Sequence, residues 1–309
     1  MPNIMIDNHF HGGGGLSNDS VADRFIKNKT DGLAALDIAL APHKKSGTKY
    51  HILSLVTSSR DKLLMRVAAL SEISRQRDDI LGIHLEANFI SPLYKGAHNI
   101  KYLSNPDIAF VKDLIDTGDG QIAQITLAPE LDGGIKAIEY IKSRQIVASI
   151  GHTDANYEQT WQALESGASN FTHLFNAMGG INHRQPGPIM AARDWYKKGN
   201  RLTVEIINDG WHIADSVVKL AFDLFSDYKT EQTAVALVTD AMEATGMPDG
   251  NYKIGDLPVL VKNRKAKINN TDTIAGSTLT LGAAAQRAKK LGLSEKVIKN
   301  SLSKKILVD

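Results

Sequence analysis

The chain has no cysteine among its 309 residues. Disulfides and thiolate metal sites are therefore excluded, and any bound metal must rest on His, Asp and Glu. Neither sign of charge dominates: 36 basic residues stand against 34 acidic ones, a formal net charge of +2. That balance gives no bulk electrostatic reason to expect nucleic acid or a membrane surface as partner. No aromatic residue interleaves with the basic C-terminal stretch from Arg287 to Lys305, so bases have nothing to stack on there. A solvated helix face is the expectation. Runs of about 18 apolar residues are missing, so no membrane span is expected. The amino terminus, Met1-Pro2-Asn3-Ile4-Met5-Ile6-Asp7, has no basic region leading into an apolar stretch and does not read as a signal peptide. The cytoplasm is the default location.

Two phosphate-binding signatures are also absent, the G-x-G-x-x-G fingerprint and the Walker A sequence. Gly12 to Gly15 form a four-glycine run, but Leu16-Ser17 follows it rather than a phosphate-loop lysine. It reads as a flexible turn after the first strand.

What the chain does have is an ordinary globular composition, 42% apolar and 23% charged, and ten histidines. Short β-rich runs alternate with longer helical patterns. The runs are 3–7, 51–57, 80–84, 122–127, 146–150, 170–173, 203–207 and 234–238, separated by amphipathic stretches such as 61–75, 135–143 and 157–166. Alternation of this kind implies a parallel sheet. Eight units over about 240 residues fit a closed (β/α)8 TIM-type barrel of the metal-dependent hydrolase kind better than an open sheet. After the eighth run, 251–254, 258–261 and 266–268 predict short strands with turns at Gly255-Asp256 and Asn263-Arg264. We assign residues 1–243 to the barrel, 244–275 to a residual β excursion and 276–309 to closing C-terminal helices.

The polar residues fall at the C-terminal ends of these strands. They are His9 and His11, His84 and Glu86, His152, His173, Asp209 and His212, and Asp240. In a barrel those ends share one rim, which carries the active site. A lone histidine at a strand end is more often structural; six strands delivering His, Glu or Asp to one rim imply a site. Imidazole and carboxylate are good ligands for divalent transition ions. Glu86, His152 and His173 would hold one and leave a coordination position for water. Asp240 is placed to take and return a proton. It also suits a helix N-cap before Ala241-Met242-Glu243, and both roles are compatible. His9 and His11 alternate to the same side of their strand, a geometry that permits joint ligation of a second metal.

Nine segments occur in an order that carries a resemblance. They are Ile6 to Gly12 (IDNHFHG), Gly82 to Glu86 (GIHLE), Lys95 to His98 (KGAH), Thr126 to Glu130 (TLAPE), Gly151 to Thr153 (GHT), Thr172 to Met178 (THLFNAM), Asp209 to His212 (DGWH), Val238 to Met242 (VTDAM) and Ala275 to Ser277 (AGS). Together they closely resemble the N-acetylglucosamine-6-phosphate deacetylase family of the amidohydrolase superfamily, over residues 4 to 290 or so. The resemblance implies removal of acetate from the amide nitrogen of an amino-sugar phosphate. It assigns the metal to Glu86, His152 and His173, with zinc or iron the expected ion, and makes Asp240 the general base and acid. His98 would hydrogen-bond the substrate near the reacting carbonyl. Asn176 and Ala177 would meet the phosphate with backbone amides, and His212 would contact the sugar phosphate. Arg184 matches a phosphate-binding arginine reached from the neighbouring subunit, which implies a homodimer.

The pattern departs from the family at two places. Ala87-Asn88 follows Glu86 where the family usually has Gly-Pro, and this is expected to alter substrate fit. Another N-acyl amino-sugar phosphate, such as the galactosamine epimer, is the alternative substrate. The family also has a small β-sandwich domain built from both chain ends, of which only the 251–268 excursion would remain, with exposed strand edges. A non-catalytic sugar-phosphate-binding relative is the reading that this truncation motivates; retention of Asp240 counts against it.

Overall fold

The computed structural model describes residues 4–227 and 229–306. Eight parallel strands follow one another in chain order around a single sheet. They are β1 (Ile6–Phe10), β2 (Tyr50–Val56), β3 (Ile80–Glu86), β4 (Ile122–Leu127), β5 (Val147–Ile150), β6 (Asn170–Phe171), β7 (Thr203–Ile207) and β8 (Val235–Val238). Helices wrap the outside: α1 (Asn18–Lys27), α2 (Lys29–Lys45), α3 (Arg60–Arg75), α4 (Ile108–Gly118), α5 (Gly134–Ser143), α6 (Tyr157–Ser166), α7 (Gly187–Lys197), α8 (Asp215–Phe225), α9 (Leu281–Lys290) and α10 (Glu295–Leu302). No helix among the described residues is long and apolar enough to cross a membrane.

Local sequence sets the boundaries. The Ser17 hydroxyl caps α1 by accepting from the Ser20 N–H, and Asn156 and Gln159 form a reciprocal capping box at the start of α6. Asn28 ends α1 with its backbone N–H, donated to the Arg24 carbonyl, and caps α2 with its side chain, which accepts from the Asp31 N–H, so the two helices meet without a loop.

The outward residues of the strands, such as Leu53, Ile83, Leu85 and Ile125, pack under the helices in one buried core. Many inward residues are polar, in contrast to the branched aliphatic layers usual in such barrels, although Val147 and Ala236 form a small apolar cluster with Ile306. Ser54 Oγ and Thr126 Oγ1 hold the His84 ring at 3.0 and 2.7 Å. Thr126 Oγ1 lies 2.7 Å from Thr172 Oγ1, and Gln124 Nε2 donates to Glu205 at 2.9 Å. This network floors the rim where the site lies.

Barrel closure between β1 and β8 combines side-chain and backbone bonds in place of a regular ladder. The Asp7 carboxylate accepts from the Thr239 N–H at 3.2 Å and from its hydroxyl at 2.6 Å. The Asp240 N–H donates to the His9 carbonyl at 2.9 Å, and Phe10 bridges to Ala241. Asn8 ties the C-terminal end across the base, donating to the Lys304 carbonyl at 2.7 Å and accepting from the Ile306 N–H at 3.1 Å.

Several sequence expectations shift. The first strand runs from Ile6 to Phe10 rather than 3–7, because its inward residues include the buried polar Asp7 and His9; residue 3 lies outside the described residues. The glycine run is not a loose turn. It forms a tight hairpin, and Gly12, Gly14 and Gly15 donate to the carbonyls of Ala241, Thr245 and Glu243. Asp240 caps no helix, since residues 241–243 are not helical. The β excursion is a three-stranded antiparallel meander of β9 (Gly250–Ile254), β10 (Leu257–Lys262) and β11 (Lys265–Ile268). Its outer edges are not bare. Glu243 accepts from the Lys253 N–H, and residues 273–275 run along β11. One face of the meander buries Ile254, Val259, Val261 and Ala266 against Val56, Met242 and Ala244 at the barrel rim.

Candidate metal centre and active site

Alternation along β3 turns His84 and Glu86 inward while Ile83 and Leu85 join the core. At the rim the Glu86 carboxylate is the meeting point of two donor sets, each within reach of one ion. On one side its Oε1 lies 2.8 Å from His173 Nε2 and 3.2 Å from His152 Nε2, and those two nitrogens are 3.1 Å apart. On the other its Oε2 lies 3.0 Å from His11 Nε2 and 3.4 Å from His9 Nε2. Asp240 Oδ1 completes that second set, 3.3 Å from His11 and 3.4 Å from His9.

These spacings test whether the residues suit a metal. An ion held tetrahedrally at about 2.0–2.1 Å has donors about 3.3 Å apart, close to the 3.0–3.4 Å of the His9, His11, Glu86 and Asp240 set and slightly wider than the 2.8–3.2 Å of the other. Hydrogen bonding alone explains it poorly, because His9 Nε2 and His11 Nε2 each have at most one N–H yet each lies within 3.4 Å of the other ring, of Glu86 and of Asp240. The donor chemistry fits too, with imidazoles and carboxylates and no thiolate. Two of the four far ring nitrogens point to orienting acceptors, as is usual for ligating histidines, while His11 Nδ1 and His173 Nδ1 are buried without a hydrogen-bond partner. His152 Nδ1 lies 2.7 Å from the Tyr94 carbonyl, and His9 Nδ1 lies 2.9 Å from Glu205 Oε2.

The electrostatics match this crowding. Burial opposes charge on Glu86, but His9, His11, His152 and His173 outweigh it and hold the carboxyl well below its usual range. Burial likewise opposes ionisation of Asp240; His9 and His11 prevail and depress it. His11 is pushed the other way: burial lowers it, Asp240 and Glu86 raise it, and it reaches about 9. Protons held on His9 and His11 would balance the same negative charge that a divalent cation would.

Backbone strain is concentrated at this rim. His152, His173, Ala177 and Asp240 have φ values of 48°, 31°, 49° and 47°, in the left-handed region that costs a non-glycine residue energy. The adjoining segments hold them there. The Thr153 N–H donates to the Ala177 carbonyl at 3.1 Å, and the Ser277 N–H donates to the Asp240 carbonyl at 2.7 Å.

The donor sets open into a cavity of about 360 Å³. His98, Asn176, Ala177 and His212 all line it, together with Glu86, His152, His173 and Asp240. His98 sits in the loop after β3, its Nε2 3.6 Å from Glu86 Oε2, and burial lowers it to about 4. His212 is oriented by Asp209, whose Oδ2 lies 2.8 Å from its Nδ1. Arg184 is not brought to this cavity; it lies exposed in the loop before α7. Ala87 and Asn88 do not reach it either. Ala87 is buried in the core, and Asn88 Nδ2 donates to the Ser58 carbonyl at 2.9 Å. The expected effect of this pair on substrate fit therefore has no direct contact behind it.

Sequence reading missed several parts of the site. Glu205 is fully buried and takes bonds from His9, Gln124, Asn170 and the His173 N–H. Its signal was a lone acid inside the apolar run Thr203–Ile207. Thr57, which pairs with His98, and Ile254 and Ile274, which bring the meander region to the cavity wall, gave no signal.

No protein-family model matches the chain. Known proteins do. The N-acetylglucosamine-6-phosphate deacetylase of Bacillus subtilis is 33% identical over 292 residues, 93% of this chain and 69% of the relative. The N-acetylgalactosamine-6-phosphate deacetylase of Escherichia coli O157:H7 is 30% identical over 290 residues, 93% of this chain and 71% of the relative. Among solved structures, N-acetyl-D-glucosamine-6-phosphate deacetylase from Mycobacterium smegmatis, a mutant in complex with N-acetyl-D-glucosamine-6-phosphate, superposes with a TM-score of 0.87 at 36% identity; the match covers 98% of this chain and 74% of that one. With the barrel, the rim and the ordered motifs in agreement with these relatives, the chain belongs to the N-acetylglucosamine-6-phosphate deacetylase family.

Proposed function

We propose that the protein hydrolyses the N-acetyl amide of N-acetylglucosamine 6-phosphate, giving glucosamine 6-phosphate and acetate. The observation that carries this reading is the Glu86 carboxylate shared between two metal-spaced donor sets at the wall of the cavity. Glu86, His152 and His173 would hold a divalent ion, zinc or iron, and His9, His11, Glu86 and Asp240 could hold a second. A bound ion there supplies Lewis-acid polarisation and lowers the pKa of water toward neutrality.

The chain's own residues do the rest. The Asp240 carboxylate takes a proton from the attacking water and delivers it to the leaving amide nitrogen. His98 donates a hydrogen bond to the carbonyl oxygen as negative charge grows on it. The backbone N–H groups of Asn176 and Ala177 bind the phosphate, and His212 holds the sugar phosphate. Arg184 reaches the phosphate bound by a second copy of the chain, so the working unit is a homodimer. Its planar fork suits a phosphate, and its exposed position leaves it free to cross an interface.

The test is acetate release from N-acetylglucosamine 6-phosphate by metal-reconstituted protein, with metal content measured on the same sample. Turnover with about one or two ions per chain is expected; no turnover in metal-loaded protein sinks the reading. The galactosamine relative at 30% identity supports a second substrate, the 4-epimer. Comparing kcat/KM for the two epimers decides between them.

A further inference from the structure

We propose that Thr57 is a positioning residue for the hydrolysis: its hydroxyl donates to Nδ1 of His98 and so fixes the ring's N–H on Nε2, facing the cavity. The inference rests on the assignment of His98 to the reacting carbonyl. Thr57 directly follows β2, at the rim, and its Oγ1 lies 2.7 Å from His98 Nδ1. Both side chains are buried, each residue about 5% exposed. Among the described residues the Thr57 hydroxyl has no other hydrogen-bond partner, so Nδ1 is the acceptor open to its proton. A ring nitrogen that accepts carries no proton, and the N–H of the neutral ring is then on the other nitrogen. That nitrogen, Nε2, is the one 3.6 Å from Glu86 Oε2, on the side of the two donor sets.

The backbone around the pair is held on both sides. The His98 N–H donates to the Lys95 carbonyl at 3.0 Å. Val56, next to Thr57, is buried in the meander's core beside Ile254 and Val259. Gly255, in the turn between β9 and β10, lies so close that a Cβ there would meet the Val56 side chain at 3.1 Å.

The tautomer matters for the chemistry. When water's oxygen bonds to the amide carbon, the C=O π pair moves onto the carbonyl oxygen. An Nε2–H stabilises that charge by a hydrogen bond and keeps its own proton. The opposite tautomer presents a lone pair to the same oxygen and repels it.

The experiment uses the metal-loaded full chain carrying Thr57→Val, Thr57→Ser, His98→Ala and the Thr57→Val/His98→Ala pair. Steady-state kinetics are measured on N-acetylglucosamine 6-phosphate, with metal content and 15N NMR of the imidazole on the same samples. Valine keeps the shape of threonine and removes the hydroxyl. We expect Thr57→Val to lower kcat about 10-fold or more with KM within about twofold, and Thr57→Ser to recover most of the loss. Metal content stays at the parent level, and the 15N spectrum changes from Nε2–H alone to a mixture of tautomers. In the His98→Ala background Thr57→Val has no further effect. Parent kcat in Thr57→Val while His98→Ala is impaired overturns the role of Thr57. So does an equal loss in both backgrounds, or a serine variant no better than the valine one. Parent kcat in His98→Ala overturns the underlying His98 assignment, and the proposal with it.

Discussion

Glu205 Oε2 lies 2.9 Å from His9 Nδ1 inside the barrel, with both residues fully buried. A carboxylate there fixes the ring so that Nε2 faces the donor set, and raises the basicity of that nitrogen. Burial opposes ionisation of Glu205, but the bond to His9 prevails and holds its carboxyl below the usual range. Replacing Glu205 by Ala is expected to weaken metal binding at the His9 and His11 position by about 10- to 100-fold. Chelator competition on the purified variant measures this. Unchanged affinity and stoichiometry contradict it.

Glu86→Gln removes the charge common to both donor sets while keeping the side chain's size. We expect kcat to fall at least about 100-fold, since both candidate ions lose a ligand and each would also lose a compensating negative charge. Metal analysis and acetate release on one sample separate loss of binding from loss of chemistry. A variant indistinguishable from the parent refutes the assignment.

Gly210 has φ +83°, and a Cβ at that position would meet the Arg287 guanidinium at 2.4 Å. Arg287 is itself held by Asp215 at 2.6 Å, so it cannot move aside without cost. Gly210 lies between Asp209 and His212, which are joined at 2.8 Å. Gly210→Ala should displace this loop, costing about 1–3 kcal/mol of stability. A severalfold rise in KM for the phosphorylated substrate is expected, with a smaller change in kcat. Denaturant melts and kinetics together test both parts.

His43 and His51 are buried outside the site, and burial lowers them to about 4 and about 3. The unfolded chain protonates both near pH 6.5, so it binds more protons than the folded one below that value. Their effect is full stability above about 6.5 and progressive loss as pH falls toward 3. Asp7 works the opposite way: burial raises it to about 7, so the folded chain keeps a proton that the unfolded one releases above its usual range. A difference measurement isolates one group. Relative to His51→Leu, the parent should lose about 2 kcal/mol of stability between pH 7 and pH 5. Parallel urea melts at the two pH values check this, and a pH-independent difference rejects it.

Much of this arrangement was legible in the chain. The period of two along each run placed His9, His11, Glu86 and Asp240 at strand ends, and closure of eight such units brought those ends together. What could not be read was set by contacts distant in sequence. Glu205 and His9 are 196 positions apart, and Thr57 and His98 are 41 apart. The positive φ at His152, His173 and Asp240 likewise depends on partners across the rim, and no local propensity predicts it. Asp240 shows the converse: an acid before Ala-Met-Glu suits a helix start, yet the Ser277 segment pairs with it and no helix forms.

The seam between β1 and β8 gives the site a second consequence. His9 and His11 come from one lip of that seam and Asp240 from the other, while Asp7 and Thr239 join the lips by side chain rather than by a regular ladder. An ion coordinated by His9, His11 and Asp240 is therefore a clasp on the first and last staves of the barrel. Filling the position closes the cylinder as well as arming it, so free energy of loading is added to the stability of the whole fold.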